Sequence, residues 1–270
     1  MSATRIEAIF TALRDEGRTG LMPFVTAGYP DLPTTASLLR RFDEVGASIC
    51  EVGVPFSDPI ADGPVIASSM HETLERGFHL DDLFRTIEEV RPLVGLGLVA
   101  MTSYSIAHRC GIEAFVTRCA AAGFDGLIFP DLPVDESEEA RGLASDAGLT
   151  CTLLIAPTTP DARAAEIANA CTGFVYLLAR TGITGERDDA PEVESRVARL
   201  REVTDLPIAC GFGVSSVDAV RAVTKSADAA IVGSAIVRRL SELHDASREE
   251  LVDRIGDFVG ELAGGLARRG

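Results

Sequence analysis

The chain has 270 residues, of which 46% are hydrophobic and 24% are charged, and its formal net charge is −16. This acidity, without any basic cluster, argues against nucleic acid or an anionic membrane as a partner. No apolar run reaches the length of a membrane span and residues 1–5 carry no signal-peptide pattern, so we expect a cytoplasmic protein.

Strand-like and helix-like segments alternate along the whole chain. An amphipathic helix over residues 4–16 comes first, with Ile6, Ile9 and Leu13 on its apolar face. The eight predicted strands are 21–26, 48–54, 96–101, 126–129, 150–156, 173–178, 206–210 and 229–232. The other predicted helices are 32–45, 65–76, 80–91, 111–122, 135–148, 161–170, 190–203, 216–224 and 235–269.

Eight strand–helix alternations in about 250 residues are typical of a (β/α)₈ barrel. We therefore predict an α/β fold, a single TIM-barrel domain over residues 1–270, with an extra N-terminal helix and an extra helix between strands 2 and 3. A doubly wound open sheet is the alternative, but no Gly-x-Gly-x-x-Gly follows the first strand.

Cysteine, histidine and lysine usage limits the chemistry that the chain can perform. The six cysteines form no Cys-x-x-Cys pair, so we interpret them as buried hydrophobic residues in a reducing compartment. The four histidines are scattered, and we predict no metal site. The single lysine, Lys225, lies in a helix-like stretch, which leaves no good candidate for a Schiff base.

Residues 48–64 combine a buried strand with an acidic loop. Glu51 lies inside the strand, where a carboxylate is costly unless it is paired or titrates. Asp58 and Asp62 follow in a loop that is broken by three prolines. The simplest interpretation makes the aspartates turn formers and helix caps. Two carboxylates in different settings are also what an acid/base pair needs.

In a barrel of this kind the active site lies at the carboxyl ends of the strands. Phe24, Asp131 and Tyr176 fall at such ends, as does the loop that contains Thr184 and Gly185. At the ends of strands 7 and 8, two glycine-containing turns indicate a phosphate site built from backbone N–H groups, although helix capping without a ligand is the alternative. These turns contain Gly211, Phe212, Gly213, Gly233 and Ser234.

These motifs resemble the tryptophan synthase α subunit over essentially the whole chain. The most specific stretch is residues 51–64, which read Glu-Val-Gly-Val-Pro-Phe-Ser-Asp-Pro-Ile-Ala-Asp-Gly-Pro. The supporting matches are residues 23–26, 129–133, 176–185, 211–213 and 233–235. The resemblance implies a lyase of L-tryptophan biosynthesis that cleaves indole-3-glycerol phosphate to indole and glyceraldehyde 3-phosphate. It also implies a β-subunit partner in an α₂β₂ complex; pyridoxal phosphate would belong to that partner, and this chain would hold no cofactor.

By the same resemblance, Glu51 and Asp62 are the catalytic residues. Substrate would contact Phe24, Tyr176, Thr184, Gly185, Phe212, Gly213, Gly233 and Ser234, and Asp58 would face the β subunit. The chemistry is consistent with the composition, because a retro-aldol step needs an electron sink. Indole can supply that sink itself once its C3 is protonated, so carboxylates suffice.

One loop departs from the family pattern. After strand 3 the family commonly has a Met-Thr-Tyr-Tyr-Asn-Pro-like run, whereas residues 101–106 read Met-Thr-Ser-Tyr-Ser-Ile. This change bears on indole packing and on coupling to a β subunit. It leaves open a stand-alone lyase that releases free indole. A non-catalytic activator of a β subunit and a metal-dependent sugar-phosphate aldolase are further alternatives.

Overall fold

Parallel strands form the centre of the molecule. The structure, a computed structural model, describes residues 3–60, 62–178, 190–211 and 213–268. Within these ranges the strands are β1 (Gly20–Thr26), β2 (Ile49–Gly53), β3 (Gly97–Met101), β4 (Gly126–Ile128), β5 (Thr150–Thr152), β6 (Leu154–Ile155), β7 (Val175–Leu178), β8 (Ile208–Gly211) and β9 (Ala229–Val232). All ladders between them are parallel, in the order β5-β4-β3-β2-β1-β9-β8-β7-β6.

The two outermost strands in that order are consecutive in sequence, so they almost close the sheet into a barrel. Only Leu153 separates β5 from β6. The backbone N–H of Leu153 donates to Sγ of Cys171 at 3.3 Å rather than to a neighbouring strand, which interrupts the single strand predicted over 150–156. The predicted (β/α)₈ barrel is confirmed, with its fifth strand in two segments.

Helices surround the strands. The described helices are α1 (Arg5–Asp15), α2 (Leu32–Glu44), α3 (Pro64–Glu75), α4 (Leu80–Val90), α5 (Tyr104–Cys110), α6 (Ile112–Ala122), α7 (Glu138–Asp146), α8 (Asp161–Ala170), α9 (Ala190–Arg201), α10 (Val217–Thr224), α11 (Ser234–Glu242) and α12 (Arg248–Ala263). None of them combines the length and apolar character that crossing a membrane requires.

Both predicted additions to the barrel are present. The N-terminal helix α1 begins with a capping box between Thr4 and Glu7, and it packs against the amino-terminal end of the barrel. A Cβ atom placed on Gly97 in β3 would lie 2.6 Å from Cδ1 of Ile6, so the α1 side chain fills the space that this glycine leaves. Helices α3 and α4 both lie between β2 and β3, which supplies the second addition.

Two helix predictions were wrong in detail, and one helix was not predicted. The segment 235–269 forms two helices instead of one, because Ser247 caps a new start for α12. A short 3₁₀ turn at Val134–Glu136 precedes α7, which begins at Glu138 rather than at Asp135. Helix α5 was not predicted: its first N–H, on Tyr104, donates to Asp131 at 2.8 Å, a residue far away in sequence.

The cysteine interpretation holds for most positions. Cys50, Cys119, Cys151, Cys171 and Cys210 are buried and are not in disulfide bonds. Cys110, at the end of α5, is exposed, since this helix lies on the outside of the barrel wall.

Candidate active site

A cavity of about 350 Å³ lies at the carboxyl ends of the strands. Its walls come from β1, β2, β3, β6, β7 and β9, from the start of α3 and from the first two turns of α11. Most of the site residues that the sequence indicated line this cavity: Phe24, Glu51, Asp62, Tyr176, Gly213, Gly233 and Ser234. The remaining surface is mainly apolar, which suits an aromatic ligand with a few polar anchor points.

Glu51 is fully buried in the middle of β2, with an exposed fraction of 0%. Neither of its carboxyl oxygens has a hydrogen-bond partner among the described residues. Burial raises the pKa of Glu51 well above its usual value, and the negative charge of Asp62 raises it further. Burial therefore favours the neutral, protonated form of this side chain, which lines the cavity as a candidate proton donor.

Asp62 closes the loop between β2 and α3. Its backbone N–H donates to the carbonyl of Pro59 at 3.0 Å, and Gly63 then caps α3, whose first residue is Pro64. Burial raises the pKa of Asp62 to about 6, so this carboxyl is mostly ionised at neutral pH. One cavity thus holds a protonated and an ionised carboxyl group, the combination that acid/base catalysis needs.

Two glycines make room for the aromatic residues of the cavity. A Cβ atom on Gly53 would lie 2.6 Å from Cε2 of Phe24, so the ring lies directly over β2. A Cβ atom on Gly211 would lie 2.9 Å from the hydroxyl oxygen of Tyr176. Gly211, which the sequence placed in one of the glycine-containing turns, therefore also provides the space for this hydroxyl group.

Tyr176 belongs to the same electrostatic environment as the two acids. Burial raises the pKa of its phenol well above the usual value, and the charges of Glu51 and Asp62 raise it further. The hydroxyl group is therefore protonated and can act only as a neutral hydrogen-bonding group at any ordinary pH.

Another part of the cavity wall is formed by the glycine-containing turns after β8 and β9. Gly213 has a φ of +81°, which side chains other than glycine rarely allow. Gly233 precedes α11, and Ser234 is the first residue of that helix. The first N–H groups of a helix have no partner within the helix and carry the positive end of its dipole, so this corner can hold an anion.

Arg238 lines the same cavity and was missed by the sequence analysis. The glycine-containing turns at this corner predicted an anion site made of backbone N–H groups alone. The spacing could have revealed the arginine, because residues four apart lie on the same face of a helix and Ser234 marks the face at the cavity.

Asp58 lies outside this cavity, on the exposed loop after β2, where it accepts a hydrogen bond from Oγ of Ser57 at 2.5 Å. It lines a separate pocket of about 30 Å³ together with Ile60 and Asp131. Asp131 itself accepts hydrogen bonds from Oγ of Ser103 at 2.6 Å and from the backbone N–H of Tyr104. Its carboxylate therefore fixes the start of α5 and does not face the cavity.

Three predicted site residues, Thr184, Gly185 and Phe212, lie outside the described residues. Within the described ranges, no group of three or more His, Cys, Asp or Glu side chains could hold a metal ion.

Known proteins of one family match this chain over nearly its whole length. A family model described as "Tryptophan synthase alpha chain" matches residues 10–265. A tryptophan synthase alpha chain of Acaryochloris marina is 46% identical over 88% of this chain and 90% of its own length. The tryptophan synthase alpha chain of Rhodopirellula baltica is 39% identical over 96% of this chain and 97% of its own length. A solved structure of Mycobacterium tuberculosis tryptophan synthase superposes with a TM-score of 0.88, at 35% identity, and covers 100% of both chains.

Proposed function

Because the chain belongs to the tryptophan synthase alpha chain family, we propose that its central cavity is where indole-3-glycerol phosphate is cleaved to indole and glyceraldehyde 3-phosphate. The activity makes the chain a lyase of tryptophan biosynthesis. The observation that carries the assignment to this cavity is a pair of acids: Glu51, which is buried with no hydrogen-bond partner in the described part of the chain, and ionised Asp62.

Glu51 starts the reaction as a general acid. A protonated carboxyl group can deliver its proton to C3 of the indole ring, which turns the ring into a cationic indoleninium. This cation is the electron sink, because the electrons of the breaking carbon–carbon bond return to the ring. The raised pKa of Glu51 supports this role, since an ordinary glutamate would have no proton to give at neutral pH.

Asp62 stabilises the intermediate by its negative charge. The positive charge of the indoleninium is shared with the ring nitrogen, and a carboxylate near that N–H group lowers the energy of the cation. The cavity is mainly apolar, so the attraction is stronger there than in water.

Glu51 then completes the cleavage as a base. After it has donated its proton it is a carboxylate, and it can accept the proton of the glycerol hydroxyl group next to the breaking bond. That oxygen becomes the aldehyde oxygen of glyceraldehyde 3-phosphate, while indole regains its aromatic ring. Protons balance over the two steps, so the chain returns to its starting state.

The rest of the substrate is held by the two sides of the cavity. Phe24 and Tyr176 supply flat apolar surface for the indole ring. Gly213, Gly233 and Ser234 hold the phosphate group at the start of α11. Thr184, Gly185 and Phe212 are expected to contribute to the same contacts.

The family implies a β-subunit partner, and we propose that the loop after β2 faces it in an α₂β₂ complex. Ile60 on this loop is 88% exposed, although it is a large apolar residue that also lines the cavity. Asp58 lies two residues away on the same exposed loop. Pyridoxal phosphate would belong to the β subunit, which would use the indole released here.

An assay of the purified chain with indole-3-glycerol phosphate tests this proposal. We expect cleavage that Glu51→Gln reduces by at least about 10²-fold, because glutamine cannot transfer a proton. Glu89→Gln makes the same chemical change on the exposed face of α4 and should retain the wild-type rate. A folded Glu51→Gln protein within a few-fold of wild type would refute the mechanism.

The same assay with an added β subunit tests the partner proposal. We expect a complex on gel filtration and a faster cleavage step, and Asp58→Asn should reduce that activation more than it reduces the rate of the isolated chain. A chain that cleaves equally well without forming a complex would instead be a stand-alone lyase, the function that the altered loop at residues 103–106 favours.

A further inference from the structure

We propose that Arg238 is a binding residue for the phosphate group of the substrate, and that it gives the cavity its preference for a phosphorylated ligand. The inference rests on the function proposed above and adds to it a cation that the family-based assignment of this site did not include.

The first observation is the position of Arg238. It lies on α11 four residues after Ser234, and both residues line the central cavity. Its guanidinium group makes no hydrogen bond or ion pair with the part of the chain that the structure describes. A guanidinium group is a strong donor to phosphate oxygens and matches their geometry with two parallel hydrogen bonds.

The neighbouring arginine on the same helix shows the contrast. Arg239 donates to the carbonyl oxygen of Ala235 at 3.2 Å, and its guanidinium carbon lies 3.6 Å from the centre of the Phe258 ring. That side chain packs α11 against α12 and is already engaged by the fold. Of the two adjacent cations, only Arg238 is directed to the cavity with its donors available.

The second observation is the charge of the cavity. Apart from Arg238, the acidic or basic side chains among its described lining residues are the carboxyl groups of Glu51 and Asp62, and ionised Asp62 adds a negative charge. The whole chain carries a net charge of −16, so its overall field opposes the approach of a phosphate monoester. Backbone dipoles at one helix start offer only about half an elementary charge. A full positive charge at the mouth of the cavity offsets this repulsion.

The exposure of Arg238 determines how strongly salt affects its contribution. The side chain is largely exposed, so ions in solution screen its charge, over a distance of about 10 Å at 0.1 M salt. Arg238 should therefore matter most at low ionic strength. A phosphate held only by buried backbone N–H groups would show a weaker salt dependence.

Arg238→Gln is the variant that tests the proposal, with Lys225→Gln as its matched control. Both substitutions remove one positive charge from an exposed side chain. Lys225 caps the carboxyl-terminal end of α10, and in a barrel this end lies away from the carboxyl ends of the strands. The probes are glycerol 3-phosphate and indole, with binding measured by titration calorimetry at 20 mM and 300 mM sodium chloride.

We expect Arg238→Gln to raise the Kd for glycerol 3-phosphate about 10-fold at 20 mM salt and about 3-fold or less at 300 mM. Its Kd for indole should match that of Lys225→Gln at both salt concentrations. Arg238→Lys should recover part of the loss at low salt, because it restores the charge without the planar donor pair.

Two results would overturn the proposal, and they can be told apart. If wild-type protein binds glycerol 3-phosphate and Arg238→Gln binds it as well as Lys225→Gln does, Arg238 has no role and the proposed function stands. If the wild-type protein itself neither binds glycerol 3-phosphate nor cleaves indole-3-glycerol phosphate, both the role of Arg238 and the proposed function fail.

Discussion

The ring of Phe24 occupies the place that a side chain on Gly53 would need. Phe24 pairs in register with Glu51 on the neighbouring strand, and Gly53 is two residues further along that strand on the same face. The ring is only 2% exposed, so it is held between β2 and the rest of the cavity. The missing side chain at Gly53 thus sets the position of an aromatic ring beside Glu51.

We predict that Gly53→Ala impairs the reaction by moving Phe24. The added methyl group would lie too close to the ring, which has to shift into the space of the indole group. We expect a fall in kcat/KM of about 10-fold or more, since small misplacements near reacting atoms are costly. Gly142→Ala on α7 is the control, because its new Cβ atom meets nothing within 4 Å. Equal kinetics of the two variants would show that Phe24 is not positioned in this way.

The second prediction concerns stability and Glu51. The pKa of Glu51 is raised in the folded chain, so between its unfolded and folded pKa values the unfolded chain is ionised while the folded chain is protonated. In that window wild-type stability falls as pH rises, by up to about 1.4 kcal/mol per pH unit. Glutamine does not titrate. The Tm of Glu51→Gln relative to wild type should therefore increase from pH 4 to pH 7, and parallel Tm profiles would contradict the raised pKa.

The third prediction concerns the acid limb of the pH–rate profile. Asp62 has a pKa of about 6, so it is protonated and loses its charge as pH falls below that value. We expect kcat/KM to fall about fivefold between pH 6 and pH 5 from this group, because its ionised fraction falls by that factor. The substrate phosphate also titrates near pH 6. The residual activity of Asp62→Asn should depend on pH only through the substrate phosphate. An acid limb that is steeper in wild type than in Asp62→Asn therefore shows that Asp62 titrates in this range.

The fourth prediction tests the phosphate corner. Ser234→Ala should raise the Kd for glycerol 3-phosphate by at least about tenfold, because a hydrogen bond to a charged group contributes roughly 1.5–3 kcal/mol. Gly213→Ala should weaken binding too, since its φ of +81° would be strained with a side chain. Gly46→Ala, at a φ of +89° with nothing within 4 Å, controls for the general cost of that strain. Affinity that stays unchanged in both site variants would move the phosphate elsewhere.

The features that could be predicted from sequence are those fixed by local pattern. The run of apolar residues around Glu51 predicts a buried strand, and the prolines after Val54 predict the loop that contains Asp62. Because the carboxyl ends of parallel strands meet at one end of a barrel, Phe24, Glu51 and Tyr176 could be assigned to one site without coordinates for any of them.

The features that were missed depend on contacts between distant segments. Helix α5 needs the carboxylate of Asp131, and the break at Leu153 needs the sulfur of Cys171. Neither contact leaves a trace in the local sequence. The packing of Tyr176 against Gly211 could not be predicted for the same reason, because the two residues lie on different strands.

The carboxyl group of Glu51, which is buried and has no hydrogen-bond partner among the described residues, has a consequence for laboratory evolution. Residues that lower stability for the sake of activity are the first to be replaced when only heat resistance is selected. A library of this chain that is screened by survival at high temperature should therefore accumulate apolar or amide residues at position 51, and with them inactive proteins. Screening for growth without tryptophan in the same library should keep the acid at that position, and the contrast between the two screens would locate the active site without a structure.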